Sequence, residues 1–322
     1  VKQRVAAIWQ ECKSGLSIVE GPLSAMPTKR SPVDWGLFLL LSACWASAFA
    51  MTKVAVGDLP ASVIIPGRLI TGAVVLWVVL FASGQKLPPF SDRSSWLAIA
   101  GMGTVGTALP FYLITVGQKT IDASLAALLI SGAPLFTAIL AHFYFSDERF
   151  TSSKVAGLIM GFGGVALLLG PDAVQGLANT DLVAQLLVLG GAFCYAVNGI
   201  IARQSPRMAP IVLPVGFLTV ASIASLPMLV MTDWQAVRPD TANMLSVLGL
   251  GAVSTGFASI ILMKLVARTS ATFVALTGYV IPIMTAVLGY FAFGEVQGWN
   301  AMIAFLLILA GVWLSQRRAR LS

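Results

Sequence analysis

The 322-residue chain is 57% hydrophobic and only 10% charged, with 20 Lys and Arg against 13 Asp and Glu. A water-soluble domain carries about a quarter charged residues, so this composition excludes a water-facing surface and points to lipid as the main solvent. The net charge of +7 does not mark a nucleic-acid binder, because the basic residues stand beside long apolar runs.

Residues 1–34 hold scattered charge and no run of spanning length, and they lack the apolar core and cleavage site of a signal peptide. Met26-Pro27-Thr28-Lys29-Arg30 reads as a start in its own right. Residues 1–25 are therefore expected to be an upstream extension, and 1–34 a disordered tail. Ten apolar runs of about 20 residues follow, the length that crosses a hydrocarbon core as a helix. They cover 35–54, 62–81, 95–116, 123–145, 153–169, 182–203, 211–231, 243–265, 270–293 and 297–315. Short breaks rich in Gly, Pro and Asp separate them. The runs are continuous rather than alternating, which favours helices over barrel strands.

Basic residues set a direction. With the N-terminus in the cytoplasm, Lys29, Arg30, Lys86, Arg93, Arg149, Lys154, Arg203, Arg207, Lys264, Arg268, Arg317, Arg318 and Arg320 fall inside. Only Lys53, Arg68, Lys119 and Arg238 fall outside, while Asp58, Asp122, Asp172, Asp181, Asp233, Asp240 and Glu295 gather there. An even number of spans returns the C-terminus, with its basic tail 317–322, to the cytoplasm.

The chain also repeats itself. Pro134 and Pro282, Phe143 and Phe291, and Phe145 and Phe293 each stand 148 positions apart. The stretch from Gly101 to Thr107 returns at Gly249 to Thr255 at the same offset, and Glu148 returns at Glu295 at an offset of 147. Each half has five spans, an odd number, so the second half enters the membrane upside down. The expected fold is an all-α polytopic membrane protein: ten transmembrane helices in two inverted five-helix repeats, 35–170 and 182–316. Substrate sites of such architectures lie where the halves meet.

These residues resemble the EamA family of the drug/metabolite transporter superfamily. The likeness lies in Trp45-Ala46-Ser47-Ala48-Phe49, in Arg68 early in the second span, and in Ala133-Pro134-Leu135-Phe136-Thr137-Ala138 with the later Asp147-Glu148-Arg149-Phe150. The second half echoes it with Ile281-Pro282-Ile283-Met284-Thr285-Ala286 and Phe293-Gly294-Glu295. The resemblance covers about residues 35–315. It implies a bacterial inner-membrane transporter of amino acids or other small metabolites, often working outward, and no enzyme activity.

Polar groups at membrane depth cost free energy and are default functional candidates. Trp45, Phe49, Tyr195 and Asn198 are expected to line a central cavity, or else to be core packing with an interhelical Asn bond. Thr107, Tyr112, Ser131, Thr255 and Tyr279 could offer hydroxyls to a ligand, or satisfy their own helix backbones. Pro134 and Pro282 would kink or open their helices beside the substrate path. Arg68 could attract a carboxylate or phosphate, or snorkel to the outer headgroups. His142 reads as an interfacial packing residue, and Gly157-x-x-x-Gly161 as close helix packing or a homodimer face.

No Asp or Glu stands at mid-depth in any span. A neutral or zwitterionic substrate is therefore expected, with weak coupling to protons. Cys12, Cys44 and Cys194 form no disulfide or metal pattern, and no G-x-x-x-x-G-K-[ST] stretch is present, so no metal, cofactor or direct ATP drive is expected. The leading function is export of amino acids or related compounds by alternating access. Import or exchange of an anionic metabolite such as a nucleotide sugar is the alternative, and a non-transporting structural or sensor protein is the alternative from another class.

Overall fold

The computed structural model describes residues 31–146, 148, 150–169, 180–235, 237–238, 240–269 and 271–316. The expectations for residues 1–30, Asp147, Arg149, Asp172 and the basic tail lie outside the described residues; residues 32–34, expected in the disordered tail, instead form the first turn of a capped helix. Among the described residues ten helices are long and apolar enough to cross a membrane. They are α1 Pro32–Asp58, α2 Ala61–Ser83, α3 Arg93–Gly117, α4 Ala123–Tyr144 and α5 Ser152–Leu169, then α6 Thr180–Gln204, α7 Val212–Val230, α8 Thr241–Arg268, α9 Ala271–Ala275 with Thr277–Phe293, and α10 Trp299–Gln316.

Local chemistry sets where the helices begin and end. Ser31 and Asp34 form a reciprocal capping box with Pro32 in the first turn, so α1 starts before its apolar run. Asp92 accepts from the Ser95 amide at 3.2 Å and opens α3, and Asp240 accepts from the Asn243 amide at 2.7 Å and opens α8. Bonds from Ser94 and Ser95 hold the Asp92 carboxyl below its ordinary pKa. Gly84 and Gly294 end α2 and α9 with φ of 67° and 68°, a backbone that glycine adopts without strain.

Four helices are not regular. α3 carries a π-helical segment at Thr104–Ala108 and α8 one at Ala252–Phe257, at matching places in the repeat. α4 breaks into Ala123–Ile130 and Ala133–Tyr144, with Pro134 in the first turn of the second piece. α9 is interrupted at Leu276, while Pro282 lies inside the longer piece.

Helices of one half pack mainly on helices of the other: α5 on α10, α2 on α7, α3 on α6, and α1 on α8 and α9. Polar contacts mark the two ends of the bundle. At one end Asn243 donates to Asp58 at 2.8 Å, Thr232 to Ser62 at 2.7 Å and Lys53 to the Ile121 carbonyl at 2.9 Å. At the other, Arg268 Nε donates to Asp34 at 2.8 Å and Glu148 pairs with Lys154. α1 thus ends beside the start of α4, whereas Arg203, near the end of α6, stands 3.6 Å from Glu148 beyond the end of α4. The Gly157 face is filled within the chain, because a methyl added there would lie 2.6 Å from the Gly311 carbonyl oxygen of α10. That face serves intramolecular packing and is not free to join a second copy.

Candidate functional site

A cavity of about 440 Å³ lies between the halves, lined from α1, α2, α3, α4 and α6 to α9. It lies within the usual size range of small-molecule sites. Its wall includes Trp45, Phe49, Arg68, Thr107, Tyr195, Asn198 and Thr255, all chosen from the sequence.

Both π segments contribute to the wall. In each, a threonine hydroxyl donates five residues back: Thr107 to the Met102 carbonyl and Thr255 to the Leu250 carbonyl, both at 2.8 Å. The extra residue in such a turn widens the helix, and these segments recur at functional sites. Gly106 brings α3 so close to α6 that a side-chain carbon there would collide with Asn198 Oδ1. In the other segment Ser254 lies 3.4 Å from Ser47 of α1, oxygen to oxygen.

Arg68 does not reach for headgroups. Its Nε donates to Thr255 Oγ1 at 3.0 Å, and its guanidinium carbon lies 3.6 Å above the Phe111 ring. Among the described residues no carboxylate lies within 4 Å of it. A cation–π contact out of water contributes about 2 kcal/mol, well short of a charge partner's contribution in a low dielectric. The site therefore presents a fixed positive charge to whatever enters. Two acceptors complement it. Asn198 Oδ1 and Gln118 Oε1 are buried without hydrogen-bond partners, although Gln118 Nε2 donates to the Phe49 carbonyl at 3.0 Å. An unmet buried acceptor costs about 1–3 kcal/mol, so a donor on a bound molecule would relieve it.

The remaining sequence candidates lie away from this cavity. Tyr112 is 41% exposed on the outside of the bundle, while Phe111 beside it faces in. The Ser131 hydroxyl donates to the Leu128 carbonyl within its own helix. Tyr279 packs against the cluster around Leu129 and Leu135. Pro134 shapes the restart of α4, with Ile130 supplying the wall, and Pro282 is buried while its neighbour Ile281 lines the void. Phe111, Gln118, Gly106 and Ser254 were not selected from the sequence. Of these, Gly106 and Ser254 fall in the repeated Gly101–Thr107 and Gly249–Thr255 stretches and were traceable there. His142 stacks on Phe150 at 3.9 Å and accepts from its amide at 3.1 Å, as an interfacial packing residue would.

Residues 35–170 and 182–316 each match the model of the EamA-like transporter family. The chain belongs to the EamA-like transporter family. As an EamA protein of the drug/metabolite transporter superfamily it is a multi-pass membrane transporter and not an enzyme. It is 29% identical over 302 residues to a protein of Streptantibioticus cattleyicolor named a probable terminal-alkyne amino-acid exporter, covering 90% of this chain and 95% of that one. It is 22% identical to the uncharacterized inner membrane transporter YedA of Escherichia coli, over 85% and 89% of the two chains. It is 21% identical to the uncharacterized transporter YoaV of Bacillus subtilis, over 84% and 92%. A solved crystal structure superposes with a TM-score of 0.61 at 19% identity, covering 89% of this EamA chain and 97% of the other, a likeness of fold.

Proposed function

We propose that this EamA protein is a secondary transporter of the bacterial inner membrane that exports amino acids and related zwitterions by alternating access, with both termini in the cytoplasm. The observation that carries the reading is Arg68: a cation in the cavity wall with no carboxylate partner among the described residues. A substrate carboxylate would complete it, and the unpartnered Asn198 and Gln118 oxygens would accept from a substrate ammonium. Trp45, Phe49, Phe111 and Tyr195 would surround the apolar remainder. The exporter from S. cattleyicolor supports amino-acid cargo. The head-to-foot arrangement of the halves is inferred from the matched π segments, and from α1 and α6 ending at opposite ends of α4. Two such halves give the pocket two near-equivalent states, one open to each side.

The test is flux in proteoliposomes. Purified protein should exchange radiolabelled neutral amino acids in a saturable way, and Arg68→Ala should abolish exchange at equal protein content. Absence of flux for every amino acid, with flux for a nucleotide sugar or another multiply charged anion, would replace the zwitterion by that class. No flux for any solute would favour a non-transporting role.

A further inference from the structure

The two halves close on glutamates 147 positions apart, Glu148 after α4 and Glu295 after α9. Their surroundings differ. Glu295 is only 8% exposed, although the sequence sets it among the acids outside the spans. It reaches the first turn of α4, where Oε1 accepts from the Ala123 amide and Oε2 from the Ser124 amide, each at 3.0 Å, and from the Ser124 hydroxyl. Asp122, at the cap position itself, makes no side-chain cap. Glu295 therefore supplies from another helix the acceptors that a helix start needs, and its charge faces the positive end of the helix dipole. Lys53 closes the same place from α1, donating to the Ile121 carbonyl and standing 3.8 Å from Asp122. α9 is pressed against this turn, since a methyl on Gly289 would lie 2.5 Å from Ser124 Oγ.

At the opposite end the matching contact is not made. By the repeat, Glu148 should cap the start of α9, where Ala271 and Thr272 correspond to Ala123 and Ser124. Instead its carboxylate takes Lys154 Nζ at 2.6 Å and stands 3.6 Å from Arg203 Nη1. Among the described residues it makes no hydrogen bond to the first turn of α9. One end is latched and its counterpart is released.

We propose that Glu295 and Glu148 are paired latches that act in turn. Glu295 on the start of α4 holds the outer end shut, as in this structure, and Glu148 on the start of α9 holds the inner end shut in the alternate state. The proposal rests on the alternating-access reading above. A cap from another helix exists only while the two helix ends touch. Rocking of one half against the other brings α4 and α9 together at one end as it parts them at the other. Lys154 and Arg203 are the resting partners of the released glutamate. They are partly exposed pairs of small energetic weight, so Glu148→Gln weakens the capped state more than the resting one.

The test reads access rather than flux. Cys12, Cys44 and Cys194 are replaced by Ser. Thr52→Cys, toward the Glu295 end of the cavity, and Leu262→Cys, toward the Glu148 end, are labelled with a membrane-impermeant maleimide from either side of vesicles. Glu295→Gln should raise outer labelling of Thr52→Cys severalfold and lower inner labelling of Leu262→Cys. Glu148→Gln should do the reverse. Ser124→Ala keeps both amide bonds and should shift access in the Glu295→Gln direction by less, which preserves the test if Glu295→Gln fails to fold. Labelling that rises at both sites, or at neither, overturns the latch. Because labelling needs no substrate, that result is distinct from a failure of the transport assay.

Discussion

Arg68 Cζ lies 3.6 Å over the Phe111 ring and its Nε is spent on Thr255, so its outer nitrogens have no hydrogen-bond partner among the described residues. A lysine would keep the charge but lose the guanidinium's contact with the ring and the fork that grips a carboxylate on two points. Arg68→Lys should therefore retain folding but lower exchange by about tenfold, the effect of about 1.4 kcal/mol lost between stacking and geometry; initial-rate counterflow reads it. Gly106→Ala tests the close approach of α3 to α6. The added methyl collides with the Asn198 amide, and overpacking of this kind costs about 1–3 kcal/mol. The melting temperature in detergent should fall by several degrees, and the Gly106→Ala, Asn198→Ala double variant should recover most of the loss without recovering transport.

At the scale of elements, the π segments separate structure from binding. Thr107→Val and Thr255→Val each delete one hydroxyl bond to a backbone carbonyl five residues back, a loss of about 1 kcal/mol of stability. Thr255 also holds Arg68. Equal destabilisation with a larger loss of flux for Thr255→Val is the expected pattern, read by thermal melting beside counterflow. The α5–α10 pair offers a control for packing. Gly157→Val drives a side chain into the α10 backbone, while Gly163 meets nothing within 4 Å. Gly157→Val should lower the detergent melting temperature clearly, and Gly163→Val should not. The expected GxxxG packing is thus present, but the notion of a dimer face is lost, since the sequence shows a sticky stripe without showing its partner.

For the whole molecule, the charges within the bundle are few and sit at its ends, apart from Arg68. Asp34, Asp58, Glu148 and Glu295 each have a partner there. Among the described residues no carboxylate lines the cavity to carry a proton across, so an imposed pH gradient should change initial exchange rates by less than about twofold. Acceleration beyond that would assign proton coupling to a group outside the cavity. The site was partly legible in advance. Trp45, Asn198 and Arg68 stood out because polar or amphipathic groups are rare at such depth. Tyr112 was chosen for its hydroxyl, although Phe111, one turn after Thr107, shares the Thr107 face. Glu295 stood only among the acids of the outer side, because its partners, Ala123 and Ser124, lie 172 and 171 positions away.

The amino-acid order alone determined the span count, the all-helical class and the repeat, because hydropathy, run length and capping are local properties written every few residues. It also marked out the residue types that a polar pocket requires. Only the tertiary structure decided which of them face one void, since that depends on the π turns that reset helix faces and on contacts between residues more than a hundred positions apart. It alone separated two glutamates of matching sequence place into one that caps a distant helix and one that rests on neighbouring cations, because a cap requires two helix ends to meet.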